Sequence, residues 1–225
     1  MYFQVIEGAV SAEQIAELCA IAARSNFVDG RVSNPHNKVK NNLQMHDQAG
    51  HQQTVQIVGR ALMQREDFRE FAFPKRMAPP LLTRYEPGME YGLHSDSAVI
   101  PIGQDLLRTD LSATLFLADL DSYDGGALRI SMGAGSTEFR LPPGDAIVYP
   151  SNTLHQVTPV TRGARLAAIT FIESFIPDHH ERELLFDLNE ISAEEGERMS
   201  FEGKTRLQHV RDCLRRRFSE TGLGV

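Results

Sequence analysis

His94 and Asp96 are separated by a single residue, so on a strand their side chains leave the same face and can converge on one ion. His155 follows the Pro150-Ser151-Asn152 turn and opens another expected strand. Two neutral imidazoles and one carboxylate form the set that holds iron(II) on one face and leaves three coordination positions open. Those positions must then receive an oxidant and a co-substrate. His94, Asp96 and His155 are accordingly the expected metal ligands and the catalytic centre.

Arg165 follows His155 across the turn Thr161-Arg162-Gly163, near the start of an expected core strand. A guanidinium grips a carboxylate through two parallel hydrogen bonds, and a fixed cation in a dry cavity is worthwhile only if an anion joins it. A dicarboxylate reaching from iron to Arg165 meets that requirement. Ala167, Ile169 and Phe171 share the strand face of Arg165, and the small Ala167 leaves room for a ligand. Arg162 is the rival anchor, placed in the turn.

Each residue also has an ordinary explanation. A His-x-Asp pair arises by chance in many sequences, and Asp96 alone reads equally as a turn or capping residue. A lone strand histidine is more often a satisfied polar group than a ligand, and a strand arginine more often pairs with a neighbouring carboxylate. The combination carries the case, not any one member. Tyr85 and Tyr91 are common strand aromatics. Lys40, Asn41, Asn42 and Gln44 either satisfy loop backbone or contact a substrate. His36, His46, His51, His179, His180 and His209 lack a partner at ligand spacing and read as solvated.

The elements that must position these residues show in the apolar pattern. Ser11 and Gln14 form an expected capping box ahead of Ile15, Leu18, Cys19 and Ala22 at helical spacing. A strand is expected over 2–6, a long polar loop over 26–44, and a second helix around Val55, Val58, Ala61 and Leu62. Prolines between 74 and 80 mark a change of architecture. Short β-rich runs follow at 91–96, 111–117, 127–131, 138–141, 146–149, 156–160 and 165–175. Asp124-Gly125-Gly126 and Pro142-Pro143-Gly144-Asp145 are strong turn signals between them. That texture is of an antiparallel sandwich or barrel. Beyond Pro177 the chain turns helical, with Leu207, Val210, Leu214 and Phe218 as an apolar stripe. Arg215, Arg216 and Arg217 then fall at a helix C-terminus, where cations oppose the dipole favourably.

Length and composition bound the rest. A chain of 225 residues, 41% hydrophobic and 24% charged, suits one globular catalytic body with appendages. The formal charge of −7 argues against nucleic acid as a partner. No apolar run reaches membrane-spanning length, and the first ten residues lack a secretory pattern; a cytoplasmic location is expected. Cys19 and Cys213 are far apart and both read as small core hydrophobes, without a disulfide or thiolate ligation.

Arg84-Tyr85, Pro87-Gly88, Tyr91, His94-x-Asp96, Gly125-Gly126, Gly144-Asp145, His155 and Arg165 together resemble the prolyl-4-hydroxylase-like branch of the Fe(II)/2-oxoglutarate-dependent dioxygenases. Asp29-Gly30-Arg31, the run from Lys40 to Gln44 and the helical tail extend the resemblance to the bacterial PKHD-type hydroxylases linked to iron uptake. The stretch Val32-Ser33-Asn34-Pro35-His36-Asn37 departs from the small-residue version of that family. The resemblance implies a mainly β fold with flanking helices around a double-stranded β-helix (jelly-roll) core over 76–177. An N-terminal strand, helices and loop over 1–75 pack on it, and a C-terminal helical extension spans 178–225. It implies Fe(II) on His94, Asp96 and His155, 2-oxoglutarate at Arg165 with a hydroxyl hydrogen bond from Tyr85, O2 as oxidant, and ascorbate as reductant. The implied reaction is oxidative decarboxylation to succinate and CO2 coupled to hydroxylation of a small molecule, such as a siderophore-type compound, or of a peptide. Homo-oligomerisation through the C-terminal helices is expected as well.

Two other readings compete. A cupin-like metalloenzyme without 2-oxoglutarate uses a similar barrel but more often shows a His-x-His pair. A non-catalytic sensor of iron or 2-oxoglutarate would share the same ligands, and only product formed on a real substrate separates it from an enzyme.

Overall fold

The computed structural model describes residues 3–34 and 37–220; Tyr2, Pro35 and His36 lie outside them. The chain opens with strand β1 (Gln4–Ile6) and helix α1 (Ala12–Arg24). Ser11 and Gln14 close the expected capping box at the start of α1. The polar stretch expected as a loop instead contains β2 (Phe27–Asp29), a 3-10 turn over Gly30–Ser33, β3 (Lys40–Asn41) and β4 (Leu43–Met45). These short strands pair through the backbone with neighbours already in a sheet, so they need no apolar period and left none to read. Helix α2 (Gln48–Gln64) breaks at Arg65 and continues as α3 (Glu66–Ala72).

Next come β5 (Pro74–Met77), β6 (Leu81–Tyr85), β7 (Glu90–His94), β8 (Val99–Ile102), β9 (Asp105–Arg108) and β10 (Leu111–Phe116). They are followed by β11 (Asp124–Gly125), β12 (Leu128–Met132), β13 (Gly135–Phe139), β14 (Ala146–Pro150), β15 (His155–Val157), β16 (Val160–Arg162) and β17 (Arg165–Ser174). Every strand pairing is antiparallel. An eight-stranded sheet runs β1-β14-β10-β17-β6-β4-β2, with β5 also on β17, and a five-stranded sheet runs β13-β12-β15-β7-β3. The chain crosses between them repeatedly, as a double-stranded β-helix requires. Gly125, at φ +72°, lies so close to the neighbouring backbone that a Cβ would sit 2.0 Å from the Pro159 carbonyl oxygen; only glycine fits that turn.

Period-two alternation divides the large sheet between two cores. On β10, Leu111, Ala113 and Leu115 pack outward with Leu18, Ile21, Val58, Leu62, Phe68 and Phe71 of the first three helices. Phe116 points the other way and joins Leu128, Ile130, Ile147, Tyr149 and Val157 between the two sheets. Ser112 and Thr114 share that inner face and line a cavity there. The helices thus stiffen one face of the sheet, and its other face carries the site.

Helices α4 (His179–Glu195) and α5 (Phe201–Phe218) close the chain. Within the expected apolar stripe, Leu214 and Phe218 pack on Phe73, Ile176 and Leu185, whereas Val210 stays exposed. Arg215, Arg216 and Arg217 occupy the last turn of α5 as expected. Both cysteines are free. Cys19 packs against the main core, but Cys213 is exposed on α5, which corrects its reading as a core residue: the helix has one covered face and Cys213 is off it. Among the described residues no helix is long and apolar enough to cross a membrane.

Candidate active site

His94 is the last residue of β7, and His155 the first of β15, directly opposite it in the five-stranded sheet. The register between these strands slips, so that Tyr91, three residues before His94, also faces a β15 partner, Val157. Such a bulge lets two residues of odd separation share one face, and Tyr91 and His94 both line the cavity. Their rings stack at 3.5 Å with 13° between planes. Asp96 lies beyond the end of the strand, so strand alternation is not what aims it. Its backbone N–H instead donates to the Ser151 carbonyl at 3.1 Å, which folds the segment back toward the histidines.

The outcome is a compact donor set. One ligand atom each from His94, Asp96 and His155 lie within 4.8 Å of one another, and no other such cluster occurs among the described residues. Nε2 of His94 is 3.9 Å from Oδ1 of Asp96, and Nε2 of His155 is 3.6 Å from Oδ2. Each histidine turns Nδ1 to a carbonyl oxygen, that of Gly92 at 2.8 Å and that of Thr153 at 2.9 Å. A carbonyl only accepts, so Nδ1 carries a proton, and in the neutral ring Nε2 turns its lone pair toward the shared point. Burial, reinforced by neighbouring His155, pushes His94 down to about 4, which keeps that ring neutral at pH 7. Neutral nitrogens and a carboxylate around an open centre fit a divalent cation.

Behind the carboxylate stands a support the sequence reading missed. Ser112 Oγ donates to Asp96 Oδ2 at 2.5 Å and lies 2.7 Å from Ser151 Oγ. The polar alternation of Ser112 and Thr114 within the apolar Leu111–Phe116 was the available signal. Partners that fix a liganding group typically govern about 10–100-fold in metal affinity. Ser112→Ala is therefore expected to weaken Fe(II) or Mn(II) binding by about tenfold or more, measured by metal titration. An unchanged dissociation constant would show that the hydroxyl does not hold Asp96.

Arg165 opens β17, directly across from Tyr85 on β6, so the two side chains leave the same face of the large sheet. The guanidinium lies 5.3 Å from the ring centroids of Tyr85 and of Phe116. Arg165 is 2% exposed, and its Nε has no hydrogen-bond partner. Among the described residues its side chain has no carboxylate partner either. An isolated charge is costly to bury, and this one lines the same cavity as His94, Asp96 and His155. A buried guanidinium without a carboxylate partner suits an anion in that cavity. Tyr85 is buried, which raises its hydroxyl pKa; the hydroxyl stays protonated and can donate. Ile169 and Phe171 also line the cavity. Arg162, the rival anchor, is exposed on β16 and paired with Asp124 at 2.7 Å.

Residues 80–173 match the 2OG-Fe(II) oxygenase superfamily. A PKHD-type hydroxylase of Sphingopyxis alaskensis is 57% identical over 196 residues, covering 87% of this chain and 90% of the relative. Another from Beijerinckia indica is 43% identical over 189 residues, covering 82% and 84%. Among solved structures, a Pseudomonas putida prolyl-4-hydroxylase superposes with a TM-score of 0.57 at 18% identity, over 76% of this chain and 92% of that one.

Proposed function

Since the chain belongs to the PKHD-type hydroxylases of the 2OG-Fe(II) oxygenase superfamily, we propose that it hydroxylates a small molecule or a protein side chain, releasing succinate and CO2. The observation that carries the reading is the buried, unpaired guanidinium of Arg165 in the cavity of the His94, Asp96 and His155 cluster. The family implies Fe(II) and 2-oxoglutarate, and the donor set and the buried guanidinium of Arg165 suit both. In this reading His94, Asp96 and His155 hold the metal. Arg165 grips the far carboxylate of the co-substrate through its planar fork, and Tyr85 donates a hydroxyl hydrogen bond to it. Bound there, metal and co-substrate supply the oxidising power for attack on a C–H bond, with O2 as co-reactant and ascorbate as an external reductant. The protein orients both ligands, and Tyr91 and Ile169 in the lining, with Phe116 in the core beside Arg165, give the cavity apolar surface that disfavours water.

Siderophore-type compounds are the first candidates to assay, by association with the family. Anaerobically purified protein, given Fe(II), 2-oxoglutarate, O2 and each candidate, is expected to form succinate together with a product heavier by one oxygen. Succinate without any hydroxylated product across small molecules and peptides would contradict the proposed reaction.

Self-association through the C-terminal helices belongs to the same reading, in a cytoplasmic protein. Leu184 and Ile191 on α4 and Phe201 and Val210 on α5 are exposed apolar side chains that a second copy would cover. Light scattering at high micromolar concentration is expected to give a mass above that of one chain; a monomer mass would refute the association.

A further inference from the structure

Lys40 is a second buried cation near the proposed metal centre, outside the roles given to His94, Asp96, His155 and Arg165. It lies on β3 directly opposite Tyr91 of β7, at the edge of the five-stranded sheet. Its side chain runs inward: the residue is 8% exposed, and Nζ lies 5.7 Å from the Tyr91 ring centroid. That ring stacks on His94, so ammonium, phenol and imidazole form a row leading to the metal ligands. Nζ donates to Ser33 Oγ at 2.8 Å, and Lys40 forms no ion pair with any described residue. Asp29, at the end of β2, already gives its carboxylate to Arg31. The next buried side chains of the segment, Asn42 and Gln44, are neutral amides whose carbonyl oxygens lack a partner.

Charge balance then decides what Lys40 awaits. A divalent cation, the dianionic co-substrate, Asp96 and Arg165 together sum to zero. Lys40 is the charge left over: the carboxylates within its electrostatic reach are Asp96, already counted, and Asp29, committed to Arg31, and a buried ammonium without an ion pair is costly unless an anion joins it.

We propose that Lys40 is the receptor for an anionic group of the substrate, so that the substrate is a small molecule carrying a carboxylate. This rests on the reading that the cavity holds metal and 2-oxoglutarate. With Arg165 committed to the co-substrate, the carboxylate at Lys40 sets the rest of the substrate over Tyr91 and beside His94. Lys40 is a binding residue and takes no part in the chemistry.

The test uses full-length protein loaded with Mn(II) in place of iron and saturated with 2-oxoglutarate, so that no turnover occurs. The probe is benzoate, with benzamide as its neutral counterpart, and the readout is the relaxation that Mn(II) imposes on the ring protons. Wild type should relax benzoate saturably and benzamide at least tenfold less. Lys40→Met should lose at least tenfold of the benzoate effect, and Lys40→Arg should retain most of it. Both variants should bind Mn(II) and 2-oxoglutarate as wild type does, which shows that they are folded. The inference is overturned if Lys40→Met relaxes benzoate as wild type does, if benzamide matches benzoate, or if loaded wild type relaxes neither. Failure of wild type to bind 2-oxoglutarate would instead overturn the function proposed above.

Discussion

Replacing Asp96 with alanine is expected to abolish iron-dependent succinate formation while leaving the fold intact. Asp96 brings the single negative charge of the donor set, and its two oxygens lie 3.9 and 3.6 Å from the two Nε2 atoms. Without it two neutral imidazoles remain, too few to hold a labile divalent ion. The loss should exceed the roughly 10–100-fold expected for a supporting partner such as Ser112. His94→Ala and His155→Ala should behave alike. None of the three residues belongs to either of the two hydrophobic cores that flank the large sheet, so circular dichroism and thermal melting of the metal-free proteins should stay close to wild type. Wild-type succinate from purified Asp96→Ala, or full activity after exhaustive chelation, would sink the triad.

Arg165→Ala should weaken 2-oxoglutarate binding by roughly thirtyfold or more. Removing one partner of a buried charge pair costs about 2–5 kcal/mol, and each 1.4 kcal/mol is about tenfold in affinity. Iron affinity should change far less, because Arg165 is not among the clustered donors. Arg165→Lys keeps the charge but loses the planar fork and should fall between. Arg162→Ala should bind as wild type, since that guanidinium is exposed and occupied by Asp124. A further readout separates an anion receptor from a structural cation. With no carboxylate partner for Arg165 among the described residues, Arg165→Met removes a desolvated charge and should melt no lower than wild type. A large drop in melting temperature with unchanged 2-oxoglutarate affinity would make Arg165 a structural residue.

How much of this could be read from the sequence depends on what kind of residue carries it. His94, Asp96 and His155 announce themselves by type and spacing, and Arg165 by its place after His155. Even so, the reason expected for the His94 and Asp96 pair holds only in part: β7 ends at His94, and a backbone hydrogen bond to Ser151 brings Asp96 in. Ser112 showed only as a polar break in an apolar strand and Ser151 only as a turn residue, because a serine acquires its meaning from the carboxylate folded against it. Tyr91 read as an ordinary strand aromatic, since the slip in register that turns it to His94 leaves no mark in residue type. The strands with apolar alternation, such as Leu111–Phe116 and Arg165–Ser174, stood out. Those held by backbone pairing, Phe27–Asp29, Lys40–Asn41 and Leu43–Met45, did not, and with them went the burial of Lys40.

In the proposed function one cavity binds metal through His94, Asp96 and His155 and co-substrate through Arg165. Anaerobic titration of 2-oxoglutarate into the Fe(II)-loaded protein, followed by the visible metal-to-ligand band, tests both halves at once. The band should saturate at one 2-oxoglutarate per chain in wild type, be absent in Asp96→Ala, and need roughly thirtyfold more 2-oxoglutarate in Arg165→Ala. A wild-type protein that binds iron yet develops no band, or an Asp96→Ala variant that develops it unchanged, would contradict the account.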